Sequence, residues 1–310
     1  RVLISLLVVF AISIFAFLLI HLIPGDPVRV MLGSEADEAA VVATRAKLNL
    51  DKPLPVQYWL WIKGVFQGDF GRSLVLNVDI AELIQTRLPV TLLLTVPAMM
   101  FSIIFGIIIG IVCATHRGSF IDQFLTVIMT AMNGIPVFWI GIMLMYLLGV
   151  QLKLLPLMGF SAPADGFGDY LKHAAMPMFI MTFGPLSSIA RQVRTNMLEV
   201  INQDYIRTAK AYGLSTWKIR YKYALKNSLI PVITLIALQV RSIVGGSLLA
   251  EQVFSIAGIG RLILTSVMNR DYLVVQALVL VISGIVVFCN MLLDVAYGIV
   301  DPRIRLNGGH

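Results

Sequence analysis

Between residues 202 and 215 the chain reads Asn202-Gln-Asp204-Tyr205-Ile206-Arg207-Thr208-Ala209-Lys210-Ala211-Tyr212-Gly213-Leu214-Ser215. Asn202 or Asp204 can cap the N-terminus of a helix, and Gly213 suits the position after its last turn, where φ is positive. Tyr205, Ile206, Ala209 and Tyr212 fall on one face of such a helix. The stretch is therefore predicted to be a short amphipathic helix whose apolar face needs a partner. On physical grounds alone, that partner is either protein or the lipid interface.

The sequence on either side of this helix is strongly apolar. Of the 310 residues, 58% are hydrophobic and only 13% are charged, whereas a soluble domain carries roughly 25% charged residues. A soluble enzyme, a disordered chain and a fibrous protein are excluded, because none could hide so much apolar surface. Six runs are long enough to cross a bilayer as helices, namely residues 2–23, 89–115, 123–150, 173–190, 229–250 and 273–298. The predicted fold is an all-α integral membrane protein with six transmembrane helices.

The distribution of Lys and Arg sets the predicted orientation. If the N-terminus is cytoplasmic, the inside segments hold twelve basic and four acidic residues, and the two short outside loops hold four of each. Cytoplasmic loops carry the basic excess in membrane proteins, and long outside segments count little. Both termini are therefore predicted to be cytoplasmic, and most of the excess lies between the fourth and fifth runs.

The runs divide the chain into four parts. These are a first transmembrane helix (1–23), an external helical segment (24–88), a five-helix core (89–300) that contains the basic loop 191–228, and a cytoplasmic tail (301–310). Within the external segment, residues 35–48 and 55–66 are predicted helices. The segment is either a cap on the spans or a docking surface for an external partner.

No catalytic or cofactor-binding constellation is found. Residues 213–218 lack the second glycine of a phosphate-binding loop, the four histidines lack metal-ligand spacing, and Cys113 and Cys289 lie singly in apolar runs. No cofactor, metal site or catalytic residue is predicted for this chain. The eight basic residues between 191 and 226 are interpreted as a topology signal and as attraction to anionic membrane lipid, not as a nucleic-acid site.

The stretch from Asp204 to Gly213 resembles the EAA loop of permease subunits in binding-protein-dependent ABC importers. The similarity is greatest to the branch that handles dipeptides, oligopeptides, glutathione and nickel. Arg207-Thr208-Ala209 stands where the wider family has Glu-Ala-Ala. Other stretches resemble motifs of the same branch, and they are Leu22-Ile-Pro-Gly-Asp-Pro27, Leu50-Asp-Lys-Pro53, Gly68-Asp-Phe-Gly71, Ala224-Leu-Lys-Asn227, Gly258-Ile-Gly-Arg261 and Asp301-Pro-Arg-Ile-Arg305.

This resemblance implies a type I ABC importer transmembrane domain in the cell membrane of a bacterium or archaeon. It implies a homologous second permease subunit, two ABC ATPase subunits that hold ATP and Mg, and an external substrate-binding protein. It also implies that the ATPases act on a coupling helix made of Asp204, Tyr205, Ile206, Arg207, Thr208, Ala209, Lys210, Ala211, Tyr212 and Gly213. The permease itself would be non-catalytic. Peptides, glutathione and nickel chelates remain open as substrates.

Four residues are candidates for the translocation path: Asn133, Pro136, Met176 and Arg241. A charge as deep as Arg241 costs at least ~2.5 kcal/mol and normally faces the bundle interior or water. It would either meet the carboxylate of a peptide-like substrate or form a structural pair. Asn133-Gly-Ile-Pro136 interrupts the third run, and Pro177 with Pro185 interrupts the fourth. Such breaks either line a transport cavity or simply kink the helix.

Close helix packing is predicted at two pairs of glycines, Gly106 with Gly110 and Gly245 with Gly246.

Two other classes of protein compete with a permease. A self-sufficient secondary transporter or channel should show inverted repeats or several intramembrane acids, of which Asp294 is the one candidate. A membrane enzyme is disfavoured because no nucleophile–base pair or metal cluster is present.

Overall fold

The computed structural model describes residues 2–22, 28–29, 37–47, 49–73 and 75–300, without the side chains of a few helical positions. The helices are α1 (Val2–His21), α2 (Glu38–Lys47), α3 (Leu54–Phe66), α4 (Ile80–Thr115), α5 (Phe120–Gly134), α6 (Val137–Leu144), α7 (Phe167–Ile201), α8 (Asp204–Ala211), α9 (Thr216–Lys218), α10 (Leu225–Val253), α11 (Ile259–Met268) and α12 (Tyr272–Val300). Two π-helical stretches, Met145–Gln151 and Ile219–Ala224, continue α6 and join α9 to α10. The predicted all-α fold is confirmed. The tail 301–310 lies outside the described residues.

The chain divides into two compact units. The first contains residues 1–91 and 257–291, and the second contains residues 92–256 and 292–310. In the first unit, Phe17 of α1 contacts Tyr58 and Trp61 of α3, with ring centroids 5.5 and 5.9 Å apart. A separate buried cluster joins α4, α11 and α12 in the same unit, and it contains Ile80, Leu83, Ile84, Ile259, Leu262, Val274, Ala277 and Leu278.

The second unit is built around α7. The side chains of Ile189, Val193 and Met197 are 0% exposed, and they pack with Ala114 of α4 and Val232 of α10. Apolar residues at this spacing form one stripe of a helix, so burial of the stripe stabilises α7 against its neighbours. The helix runs through Pro177 and Pro185, so it is not broken there, whereas the alternative of a kink stays a prediction. In a bundle, neighbouring helices and local adjustments satisfy the backbone groups that a proline frees.

The third apolar run is broken where the sequence predicts it. The helices α5 and α6 meet at an angle of 102°, and Pro136 with φ −59° precedes the first residue of α6. Proline has no N–H to donate and favours the first turn of a new helix, so the break falls at this residue. The pair α5–α6 is thus either one broken span or a re-entrant segment.

Four helices among the described residues are long and apolar enough to cross a membrane, namely α1, α4, α10 and α12, and the bent pair raises the number to five. The fourth predicted run lies inside α7, which has 35 residues but is less apolar. A helix that other helices cover on several sides needs less apolar surface than one that faces lipid. The count of six spans stays a prediction.

Candidate coupling helix and polar cleft

The predicted amphipathic helix is present as α8, and its end is fixed by local chemistry. Gly213 has φ +75°, as predicted. The N–H of Gly213 donates to the carbonyl of Lys210 (2.9 Å), and the N–H of Leu214 donates to that of Ala209 (3.2 Å). This pair of hydrogen bonds is a Schellman motif, which satisfies the last carbonyls and needs a residue with positive φ.

The N-terminus of α8 differs from the prediction. The capping position is Gln203, whose side chain makes no capping hydrogen bond, and not Asn202 or Asp204. The Asn202 amide donates instead to the carbonyl of Leu198 at 2.9 Å. Asp204 is the first residue of the helix, where a negative charge is favourable next to the positive end of the helix dipole.

The apolar face of α8 is divided between the protein interior and the surface. Ile206 is 0% exposed and Ala209 is 8% exposed, and both pack on Ile219 of the π-helical stretch. Tyr205 is partly exposed, and its hydroxyl accepts a hydrogen bond from Asn227 of α10 (3.0 Å). One contact therefore fixes α8 to the π-helical stretch, and the other fixes it to the start of α10.

The outer side of α8 is exposed and chemically mixed. Tyr212 is 83% exposed and Trp217 of α9 is 66% exposed. Asp204 and Arg207 form an ion pair at 3.4 Å, with side chains 95% and 75% exposed, so the pair contributes little to stability. We define the coupling surface as the exposed side chains of Asp204, Arg207, Lys210, Tyr212 and Trp217. Its large exposed aromatic groups and its exposed arginine are typical of a protein interface.

A buried line of hydrogen bonds joins α7 to the start of α10. The amide of Gln192 donates to the Asn196 Oδ1 atom at 2.8 Å, and the amide of Asn196 donates to the carbonyl of Ser228 at 3.1 Å. Asn196 is 6% exposed and Ser228 is 1% exposed. Buried polar groups that are fully bonded fix one arrangement of the helices around them.

An ion pair fixes α7 to the start of α5. The guanidinium of Arg194 donates to both carboxylate oxygens of Asp122, from Nε to Oδ1 at 2.8 Å and from Nη2 to Oδ2 at 2.9 Å. The N–H of Gly118 also donates to Oδ2 at 3.0 Å. The Asp122 side chain is 4% exposed and that of Arg194 is 28% exposed. This paired geometry is the strong form of an arginine–carboxylate contact.

A polar cleft opens beside the break between α5 and α6. It has a volume of about 450 Å³ and is lined by Asn133, Ser188, Arg191, Gln192, Thr195 and Leu235. Among the path candidates whose side chains the structure describes, Asn133 alone lines this cleft. Its amide donates to the Ser187 hydroxyl at 2.5 Å. We call the space bounded by these six residues the polar cleft.

The other path candidates lie elsewhere. Pro136 lies three residues after Asn133, at the break between α5 and α6. Met176 is 2% exposed and precedes Arg191 by ~22 Å along α7, at 1.5 Å per residue. Arg241 is within α10, but its side chain lies outside the described part of the structure. Its role stays a prediction.

Family models and known relatives match nearly the whole chain. Residues 106–306 match the family model "Binding-protein-dependent transport system inner membrane component", and residues 1–95 match the N-terminal model of the same systems. The chain is 38% identical to a "probable peptide ABC transporter permease protein" of Sinorhizobium fredii, covering 98% of both proteins. It is 37% identical to the dipeptide transport system permease protein DppB of Alkalihalophilus pseudofirmus, covering 98% of both. It is also 37% identical to the glutathione transport system permease protein GsiC of Salmonella typhimurium, over 95% of this chain and 94% of that one.

The fold is similar to that of a solved structure, an inward-facing conformation of the MetNI methionine ABC transporter. The TM-score is 0.58 with 18% sequence identity, over 71% of this chain and 96% of that chain. At this identity the likeness shows the fold alone, and that fold is a type I ABC importer transmembrane domain. The chain therefore belongs to the family of binding-protein-dependent transport system inner membrane components and is a permease of the ABC importer type.

Proposed function

We propose that the chain is the permease subunit of an ATP-driven peptide importer, in which it forms half of the translocation path. The observation that carries the proposal is the geometry of α8, whose inner face is buried on the π-helical stretch that leads into α10 while its coupling surface is exposed. A helix held in this way can receive movement from a partner and pass it to the helices that border the path. The relatives named for peptides, dipeptides and glutathione support a peptide-like substrate.

The proposed assembly contains a homologous second permease, two ABC ATPase subunits and an external substrate-binding protein. ATP and Mg bind to the ATPases, and this chain carries no catalytic step. Both termini and α8 face the cytoplasm. A nickel-importing permease of the same family is an alternative, and the ligand of the binding protein delivered to this complex distinguishes the two.

The defining experiment is transport by purified protein in proteoliposomes. We expect uptake of a labelled peptide only when the second permease, the ATPases, the loaded binding protein and ATP are all present. Uptake by this chain alone under an ion gradient would instead identify a secondary transporter. Labelling of Lys210 by an amine reagent confined to the outer side of intact cells would place α8 on the wrong side of the membrane.

Replacing Tyr212 with Ser should uncouple the ATPases without unfolding the permease. Tyr212 is 83% exposed in this chain, so its loss removes little from the packing of the permease itself. Truncating an aromatic residue at the centre of an interface costs ~2 kcal/mol, which is about a thirtyfold loss of affinity. The measurements are the amount of ATPase that co-purifies with the permease and the melting temperature of the permease.

The matched control is Phe66→Ser, because Phe66 is 85% exposed but lies at the end of α3, outside the coupling surface. We expect this variant to retain the ATPases. Equal retention by Tyr212→Ser and Phe66→Ser would show that Tyr212 does not contact the ATPases. A lowered melting temperature for Tyr212→Ser would assign the residue a structural role instead.

A further inference from the structure

The helix α7 has a polar stripe opposite its buried face. Arg191, Gln192 and Thr195 lie three, four and seven residues after Ser188, so all four share one side of the helix. All four line the polar cleft. Within a bilayer, charged residues face the bundle interior or a water-filled path, because facing lipid is costly. The stripe therefore indicates that water enters the cleft.

The cleft presents groups of opposite hydrogen-bonding character. Arg191 makes no ion pair or hydrogen bond within the part of the chain that the structure describes, so its five N–H donors are free to bind an anion. The amide nitrogens of Asn133 and Gln192 are already engaged, with Ser187 and Asn196. No hydrogen bond in the described part of the chain uses their side-chain carbonyl oxygens, which are acceptors for N–H groups.

We propose that the polar cleft is a solute-binding site on the translocation path and that Arg191 binds the free carboxylate of a peptide-like solute there. A guanidinium and a carboxylate pair through two parallel hydrogen bonds, which a neutral amide group cannot match. Asn133 and Gln192 accept hydrogen bonds from the N–H or ammonium groups of the same solute. The volume of about 450 Å³ accommodates a short peptide. This inference rests on the proposed function and adds a chemical requirement to it.

The requirement is tested with the assembled transporter in proteoliposomes, using a tripeptide and its C-terminal amide. Both peptides must be ones that the binding protein delivers to the wild-type complex. Arg191→Gln should lower the ratio of carboxylate to amide uptake about tenfold, because a hydrogen bond to a charged group is lost. Arg191→Lys keeps the positive charge and should retain most of the preference.

Arg117→Gln is the matched control, since it removes the same charge from an exposed residue outside the polar cleft. An unchanged ratio in Arg191→Gln would overturn the inference, and so would an equal loss of uptake for both peptides. In either case the wild-type complex still transports, so the proposed function stands. If the wild-type complex takes up neither peptide with ATP, the proposed function fails and the inference fails with it.

A second measurement tests whether water reaches the cleft. Ser188→Cys, in a background where Cys113 and Cys289 are replaced by Ala, should react with a membrane-impermeant thiol reagent. Ile189→Cys is the neighbouring control, because Ile189 is 0% exposed and should not react. Adding the tripeptide carboxylate should slow the labelling of Ser188→Cys. Failure of Ser188→Cys to react in any state of the ATP cycle would rule out a water-filled path at this stripe.

Discussion

Replacing Asp122 with Ala should lower the free energy of unfolding by about 3 kcal/mol, because a buried ion pair loses one partner. The Asp122 side chain is 4% exposed and receives two hydrogen bonds from Arg194 and one from Gly118. Without the carboxylate, the guanidinium of Arg194 stays partly buried with no counter-charge. The measurement is thermal unfolding of the detergent-solubilised protein, followed by the fluorescence of its four Trp residues.

Two variants show whether the loss comes from the unpaired charge. The double variant Asp122→Leu with Arg194→Met should recover most of the stability, since an apolar pair of similar volume often replaces a buried ion pair without loss. Asp204→Ala removes the exposed partner of Arg207 and should change stability by less than ~1 kcal/mol. Equal losses for Asp122→Ala and Asp204→Ala would contradict the argument.

Replacing Gly110 with Val should separate α4 from α7 and destabilise the second unit by about 1–3 kcal/mol, as overpacking does. A Cβ atom at Gly110 would lie 2.6 Å from the Val193 Cβ and 2.7 Å from the Ala190 carbonyl oxygen. The carbonyl belongs to the α7 backbone, which cannot rotate aside as a side chain can. The predicted close packing at Gly106 and Gly110 is thereby confirmed in this chain. The measurement is again the melting temperature in detergent.

Gly245 provides the control, because a Cβ atom there would meet nothing within 4 Å. Gly245→Ala should leave stability unchanged or raise it by ~0.5–1 kcal/mol, since Ala is favoured over Gly inside a helix. The prediction of close packing at Gly245 and Gly246 is wrong for the described part of this chain. Similar melting temperatures for Gly110→Val and Gly245→Ala would show that the α4–α7 contact is not tight.

Local features were predicted well from the sequence. Gly213 follows the last turn of α8 and Pro136 directly precedes α6, because the backbone conformation that each residue favours depends on few neighbours. Four of the apolar runs correspond to helices that are long and apolar enough to cross a membrane, since length and hydropathy are local quantities. The N-cap at Gln203 was missed, because Asn and Asp are preferred there but tertiary packing decides which residue is used.

Contacts between distant residues could not be predicted. Asp122 and Arg194 are 72 residues apart, and neither charge carries a local sign of its partner. The fourth apolar run ends at residue 190, whereas α7 continues to Ile201, so Arg191 belongs to a helix; its cytoplasmic position stays a prediction. A helical-wheel count through Ser188, Arg191, Gln192 and Thr195 would have revealed the polar stripe, because its spacing continues the period of the helix.

The length of α7 has a mechanical consequence. Its 35 residues form a rod of ~52 Å, well beyond the ~30 Å hydrocarbon thickness of a bilayer. A rotation of about 10° around the midpoint of such a rod moves each end by ~4–5 Å, while residues near the pivot hardly shift. Modest rocking of one helix is thus sufficient to open one mouth of a channel and narrow the other, with no change in the helix itself.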